Sequence, residues 1–217
     1  MQNILLIGLG RFGRSCAFKL HELQQQVMAV DREEERVNKV LPFITSAIIG
    51  DSTDSSFLKS LGIGNFDSCI VAIGDNFISS LETTSLLKEL GAKRVIARAS
   101  SLTQEKFLLR NGADEVVFPE KEMANWTAMR CSSGIIRNYI AVYDDYSIYE
   151  VPAPAGWVGK SIAQLDIRQK YDITILGMHK SNETKPRLNI SGTTVIDADE
   201  ILMVLADDRD MRKCFNL

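Results

Sequence analysis

Apolar residues in this chain come in short runs that stop at glycine and restart as helical patterns. Ile4-Leu5-Leu6-Ile7 is a continuous apolar run that suits a strand buried on both faces, and residues 15–20 then carry apolar positions at helical spacing. Residues 26–30 predict a second strand. The charged segment 32–36 opens a short helix reaching about Leu41, where Pro42 stops it, and residues 45–50 read as a third strand. Asp54-Ser55-Ser56 offers a cap for the next helix. A fourth strand over 67–74, a helix over 77–90 closed by Gly91 and a fifth strand over 94–98 follow. A helix over 103–111 stops at Gly112, and residues 115–118 form a short sixth strand closed by Pro119. Six strands alternating with helices predict an α/β fold with a doubly wound, Rossmann-like parallel sheet, because parallel neighbours need helical crossovers.

From Glu120 to about Ile136 a longer helical pattern leaves the sheet, with an apolar stripe that suits packing or subunit contact. The pattern then changes. Residues 139–151 alternate apolar and polar positions, as a half-exposed strand does, and Pro152-Ala153-Pro154 is stiff. A short helix at 161–165 and strands at 173–178 and 200–205 complete a small α+β module. Two domains are therefore expected, residues 1–136 and 137–217.

A net charge of −3 supplies no positive field for nucleic acid or anionic lipid, so neither is expected as a partner. Cys16, Cys69, Cys131 and Cys214 are scattered singly, without metal-ligand or redox spacing, and suit free thiols in a reducing cytosol. The N-terminus enters a strand without a secretory signal, and no apolar run approaches the roughly 20 residues that span a bilayer. A cytoplasmic location is expected.

The chemistry concentrates where the first strand stops. Gly8-Leu9-Gly10-Arg11-Phe12-Gly13 is a G-x-G-x-x-G turn between a strand and a helix. Gly8 permits the tight turn, Gly10 lets a pyrophosphate approach the backbone, and Gly13 lets helix and strand pack closely. Asp31 ends the second strand, at the place and interval of a ribose-binding carboxylate, and it disfavours a 2′-phosphate, an exclusion that Arg32 weakens. Arg11 can meet a terminal phosphate, Asp51 an adenine edge and Arg98 phosphates. Glu120 is either a first-turn carboxylate or a ligand for a divalent metal on the phosphates. His21 and His179 lie away from any strand's carboxyl end, and Tyr-x-x-x-Lys, G-x-S-x-G and H-E-x-x-H are absent. The residues thus describe a domain that binds a nucleotide without transforming it. An NAD-dependent oxidoreductase of the same fold is the alternative, since fold alone does not separate the two.

Taken together, Gly8 to Gly13, Val30-Asp31, Gly50-Asp51-Ser52, Val71-Ala72-Ile73-Gly74, Gly112-Ala113-Asp114 and Pro119-Glu120 resemble the RCK (KTN) family of the KtrA/TrkA type. Residues 159–171 and 199–204 resemble the opening and closing of its C-terminal domain. The resemblance covers essentially the whole chain. It implies a cytoplasmic regulatory subunit of a membrane-embedded potassium transporter, a homodimer assembled into an octameric ring whose shape responds to ATP, ADP or NAD(H). By position it places Gly8, Gly10 and Gly13 on phosphates, Arg11 at a third phosphate and Asp31 at the ribose, and it counts Phe12, Arg32 and Gly74 among the nucleotide-binding residues. Asp51, Ser52 and Ile73 fall toward the adenine, Arg98 near phosphates, and Glu120 on Mg2+ or Ca2+. Some members bind cyclic di-AMP in the C-terminal domain. Ile162, Ile167 and Arg168 match that pocket, whereas Ala163, Thr174 and Asn189-Ile190 depart from it. A free-standing nucleotide or cyclic di-AMP sensor is a further alternative.

Overall fold

The first apolar run is β1 (Asn3–Ile7), and α1 (Arg11–Glu22), β2 (Gln26–Asp31), α2 (Glu34–Val40) and β3 (Ser46–Ile49) follow it. After α3 (Ser55–Ser60) the chain returns beside β1 as β4 (Ser68–Val71), then α4 (Phe77–Glu89), β5 (Val95–Arg98), α5 (Leu102–Arg110) and β6 (Glu115–Val117). The computed structural model describes residues 1–143, 145–183 and 185–215. All six strands are parallel, in the order β3-β2-β1-β4-β5-β6. β1 is central and buried on both faces: Leu5 and Ile7 enter one core cluster with Cys69, Val71 and Val95, while Leu6 enters the other with Val27 and Ala29. The strand order reverses between β1 and β4, and in open sheets of this kind ligands bind at the carboxyl ends beside that reversal.

The helix expected from 32 starts later, at Glu34, and stops at Val40, because Pro42 sits in a separate 3-10 turn, Leu41–Phe43. Asp54 caps α3 as its position predicts: its carboxylate accepts from the Ser56 N–H at 2.8 Å and the Phe57 N–H at 3.3 Å. Asp54→Ala is expected to cost about 1 kcal/mol, read as a lower urea midpoint at an unchanged slope.

Two compact units divide the chain, Met1–Lys121 and Glu122–Leu217. α6 (Pro119–Ser132) carries the chain from the first into the second, and none of its described residues is buried. It ends four residues before the expected Ile136, ahead of Ser133-Gly134. The second unit continues with β7 (Asn138–Ala141), β8 (Tyr146–Pro152), α7 (Ile162–Leu165), α8 (Ile167–Tyr171), β9 (Thr174–Lys180), β10 (Glu200–Asp207) and α9 (Asp208–Phe215). Its antiparallel sheet runs β7-β8-β10-β9. The single strand expected over 139–151 is in fact a hairpin, β7 against β8, with Tyr139 opposite Tyr149. Asp144, inside that expected strand, lies outside the described residues. Tyr149, Val151, Leu202 and Val204 fill this unit's core.

Candidate functional site

Ile7 ends β1 and the chain turns at Gly8, whose φ of +92° is strained for any residue with a side chain. Its N–H donates to the Val30 carbonyl at 2.8 Å, tying the turn to β2. Gly10 caps α1 in extended geometry, and a Cβ built there meets nothing within 4 Å. Gly13 faces the other way: a Cβ there would stand 1.9 Å from the Gly8 carbonyl oxygen. Two glycines thus shape a surface and the third packs the helix against it. α1 directs its unpaired first-turn N–H groups at the space beside Gly10, where the helix dipole favours an anion.

Asp31 is 7% exposed. One carboxylate oxygen accepts from the Leu9 N–H at 2.6 Å and the other from the Glu33 N–H at 2.9 Å, with the Arg36 guanidinium 3.8 Å away. The carboxylate therefore fastens the glycine turn to the end of β2 and retains lone pairs for ligand hydroxyls.

Around the turn lies a cavity of about 820 Å3. Gly8, Gly10, Arg11, Phe12, Asp31 and Arg32 line it, and so do Ser52, Ile73, Gly74, Arg98 and Glu120. Two of the expected residues do not. Gly13 is buried behind the turn, and the Asp51 carboxylate points elsewhere, accepting from Arg32 at 2.7 Å, the Thr53 N–H at 2.9 Å and the Thr53 hydroxyl at 2.7 Å. Burial pushes the Asp51 carboxyl up, but the Thr53 and Arg32 hydrogen bonds and Arg32's charge outweigh it and leave the group below the usual aspartate value. Arg32 is thereby held on Asp51. Ser52 turns its hydroxyl inward, 2.8 Å from that of fully buried Thr83 on α4.

Arg98 and Glu120 form an ion pair that their 22-residue separation gave no reason to expect. The Arg98 side chain is only 17% exposed and its guanidinium lies 6.0 Å from the centre of the Phe12 ring. A Cβ on Gly74 would fall 1.6 Å from one of its terminal nitrogens, so Gly74 makes room for this arginine. Partial burial pushes the Glu120 carboxyl up; its own N–H, the Arg98 hydrogen bond and the charges of Arg98 and Arg11 more than offset that and keep it below the ordinary glutamate value.

Sequence reasoning missed Arg14, Glu33, Arg36, Asp75, Asn76 and Ser79, which also line the cavity. Asn76 had a legible signal, since its side chain caps α4 by accepting from the Ser79 N–H at 3.1 Å. Arg11, Arg14, Arg32, Arg36 and Arg98 face Asp31, Glu33, Asp75 and Glu120, five cations to four anions. The lining includes no histidine, lysine, tyrosine or cysteine. His21 instead sits against Phe43, with ring centres 6.1 Å apart, and a His179 ring nitrogen lies 2.8 Å from the Lys180 carbonyl. Among the described residues no group of three or more His, Cys, Asp or Glu side chains is placed to hold a metal ion. In the second unit Ile162 is half-buried and Arg168 exposed, while Ile167 is 3% exposed and belongs to the core. Among the described residues no helix is long and apolar enough to cross a membrane.

Comparison with known proteins follows these two units. The TrkA-N domain family matches residues 4–119 and the TrkA-C domain family residues 146–217. The chain is 39% identical over 98% of its length to Ktr system potassium uptake protein C of Bacillus subtilis and covers 95% of that protein. It is 37% identical to Ktr system potassium uptake protein A of the same organism, over 99% of this chain and 96% of that one. Among solved structures it resembles the GsuK RCK domain, with a TM-score of 0.66 at 18% identity over 100% of this chain. It also resembles the GsuK channel bound to NAD, at 0.67 and 18% over 96%. The chain spans 47% and 38% of those two chains, so this likeness concerns the fold. Sequence match over both units and identity over nearly the whole length agree: the chain belongs to the family of TrkA-N and TrkA-C domain proteins that includes the Ktr potassium uptake proteins.

Proposed function

We infer that this chain is a nucleotide-sensing regulatory subunit of a potassium uptake system and that it works as a binding module, not as an enzyme. The observation that carries this reading is a glycine-turn cavity with a buried carboxylate at the end of β2 and no proton-transfer residue of the histidine, lysine, tyrosine or cysteine kind in its lining. A dehydrogenase needs a proton donor or acceptor beside the substrate carbon, most often a histidine, and the titratable acids in this lining are the carboxylates of Asp31, Glu33, Asp75 and Glu120. The Ktr relatives supply the potassium uptake context, and a channel of this fold bound to NAD supports the ligand class.

A nucleotide diphosphate fits the residues present. The open space over Gly10 leaves room for a pyrophosphate against backbone, and in this reading Asp31 meets the ribose hydroxyls. In this reading Ser52 and Ile73, which line the cavity, meet the base, Arg11 meets a third phosphate and Arg98 the phosphate chain. Glu120 is the carboxylate for Mg2+ or Ca2+ beside those phosphates. With ligand-dependent binding free energy, one geometry of a homo-oligomeric ring, octameric in this reading, is favoured over another, and the ring biases a membrane-embedded transporter from the cytoplasmic side. Cyclic di-AMP is the ligand to test on the second unit.

Copurification of a membrane potassium-transport subunit with this chain from solubilised membranes tests the reading; reproducible nicotinamide oxidation with a candidate substrate instead would overturn it. A second prediction addresses the nucleotide. Arg11→Ala is expected to lower the ATP/ADP affinity ratio at least about fivefold, a fraction of what one charged contact contributes, while ADP affinity barely moves. Equal loss for both nucleotides by titration calorimetry would make Arg11 a general surface charge.

A further inference from the structure

Arg98 is the one cavity cation whose surroundings are built around it. Its guanidinium lies under Gly74, beside the Phe12 ring, and its Nε is buried without a hydrogen-bond partner. Such an orphaned donor costs free energy unless something arrives to satisfy it. Its terminal nitrogen is paired with Glu120, a carboxylate that is itself 56% exposed and can swing into solvent at little cost. Glu120 is the second residue of α6, the helix that leaves the first unit after Lys121.

We propose that the Arg98–Glu120 pair is an exchange latch: the phosphates of a bound nucleotide take Arg98 from Glu120, and the released carboxylate frees the first turn of α6. The inference rests on the nucleotide reading above and adds the step by which occupancy leaves the site. A phosphate offers a planar guanidinium bidentate contacts and more negative charge than one carboxylate, so it wins the competition. Glu120 therefore acts as an internal competitor of the ligand in the absence of divalent ions. The empty cavity holds α6 by its second residue, and the occupied one lets go.

The consequence runs against the usual sense of a binding-site mutation. In EDTA, Glu120→Gln binds ADP and NAD about two- to fivefold more tightly than the parent, the range of an exposed ion pair removed as a competitor. Arg98→Met binds both more weakly, and adding Glu120→Gln to Arg98→Met gives no further gain. Trp126 lies six residues beyond Glu120 on α6, under the Arg130 guanidinium at 4.5 Å, and reports on the helix by its fluorescence. ADP changes that fluorescence in the parent. The change is absent in Trp126→Phe, which identifies its source, and absent in Arg98→Met at saturating ADP.

Calorimetry and fluorescence are read on the same full-length samples. No binding of ADP or NAD to the parent overturns the nucleotide reading and the latch with it. Parent binding with Glu120→Gln unchanged or weakened in EDTA overturns the latch alone, as does a Trp126 response that persists in saturated Arg98→Met.

Discussion

Asp31→Ala is expected to weaken ATP, ADP and NAD alike by about ten- to a hundredfold, because a hydrogen bond to a charged group contributes on the order of 1.5–3 kcal/mol. All three ligands carry an adenosine ribose, so their ratios should stay fixed while every affinity falls. The structure adds a second expectation. The Asp31 carboxylate accepts from the N–H of Leu9, a residue with no exposed surface, and alanine would leave that donor buried without a partner. The cost is about 1–3 kcal/mol, which for a chain of this size lowers the melting temperature by roughly 2–4 °C per kcal/mol. Asp31→Asn separates the two effects. Its amide keeps one oxygen for the backbone but turns an N–H toward the other donor and removes the charge. Affinity should therefore fall nearly as far as in Asp31→Ala, with a smaller loss of melting temperature. Unchanged calorimetric affinity for all three nucleotides would remove Asp31 from the site.

Much of the first unit was legible because its signals are local. A strand buried on both faces must be apolar, as Ile4 to Ile7 of β1 are, and α2 to α5 each end two residues before a proline or glycine, whereas α1 ends at Leu23-Gln24, with Gln24 at a φ of +56°. The hairpin β7–β8 was not legible. Residues 139–143 are an unbroken apolar run, and between it and Tyr149 the sequence offers the Asp144-Asp145 pair but no glycine or proline as a break. α9 escaped notice for a related reason: Asp208 to Phe215 carries five charged residues and only Met211 is buried, so its apolar periodicity is too thin to see.

Of the residues expected at the nucleotide site, Gly13 and Asp51 do not line the cavity. Asp51 follows the third strand as an adenine-reading residue would, yet Arg32 and Thr53 occupy its carboxylate. That competition depends on a neighbour 19 residues away. The Arg98–Glu120 pair is long-range in the same way, and so is the Ser52–Thr83 hydroxyl contact. Sequence spacing locates residues on strand ends; it does not say which of them consume one another's charges and hydrogen bonds before a ligand arrives.

Gly10→Ala and Gly13→Ala, three residues apart in one motif, should fail in opposite ways. At Gly13 the added methyl would stand 1.9 Å from the Gly8 carbonyl oxygen and 3.3 Å from the Ala72 side chain. The nearest obstacle is backbone, which cannot rotate aside as a side chain can, so α1 must move away from β1. Overpacking of this kind costs about 1–3 kcal/mol, and the expected readout is a melting temperature lower by roughly 2–4 °C per kcal/mol. At Gly10 the backbone angles of −63° and −169° are open to alanine and the methyl meets no protein atom within 4 Å. Its melting temperature should equal the parent's within error. The methyl instead occupies space against which a pyrophosphate would lie, and the same 1–3 kcal/mol of overlap corresponds to about five- to a hundredfold weaker ATP, ADP and NAD binding. Thermal denaturation and calorimetry on the two variants thus separate the glycine that packs the fold from the glycine that admits the ligand. A Gly10→Ala protein that binds all three nucleotides like the parent would place the phosphates elsewhere in the cavity, away from the first turn of α1.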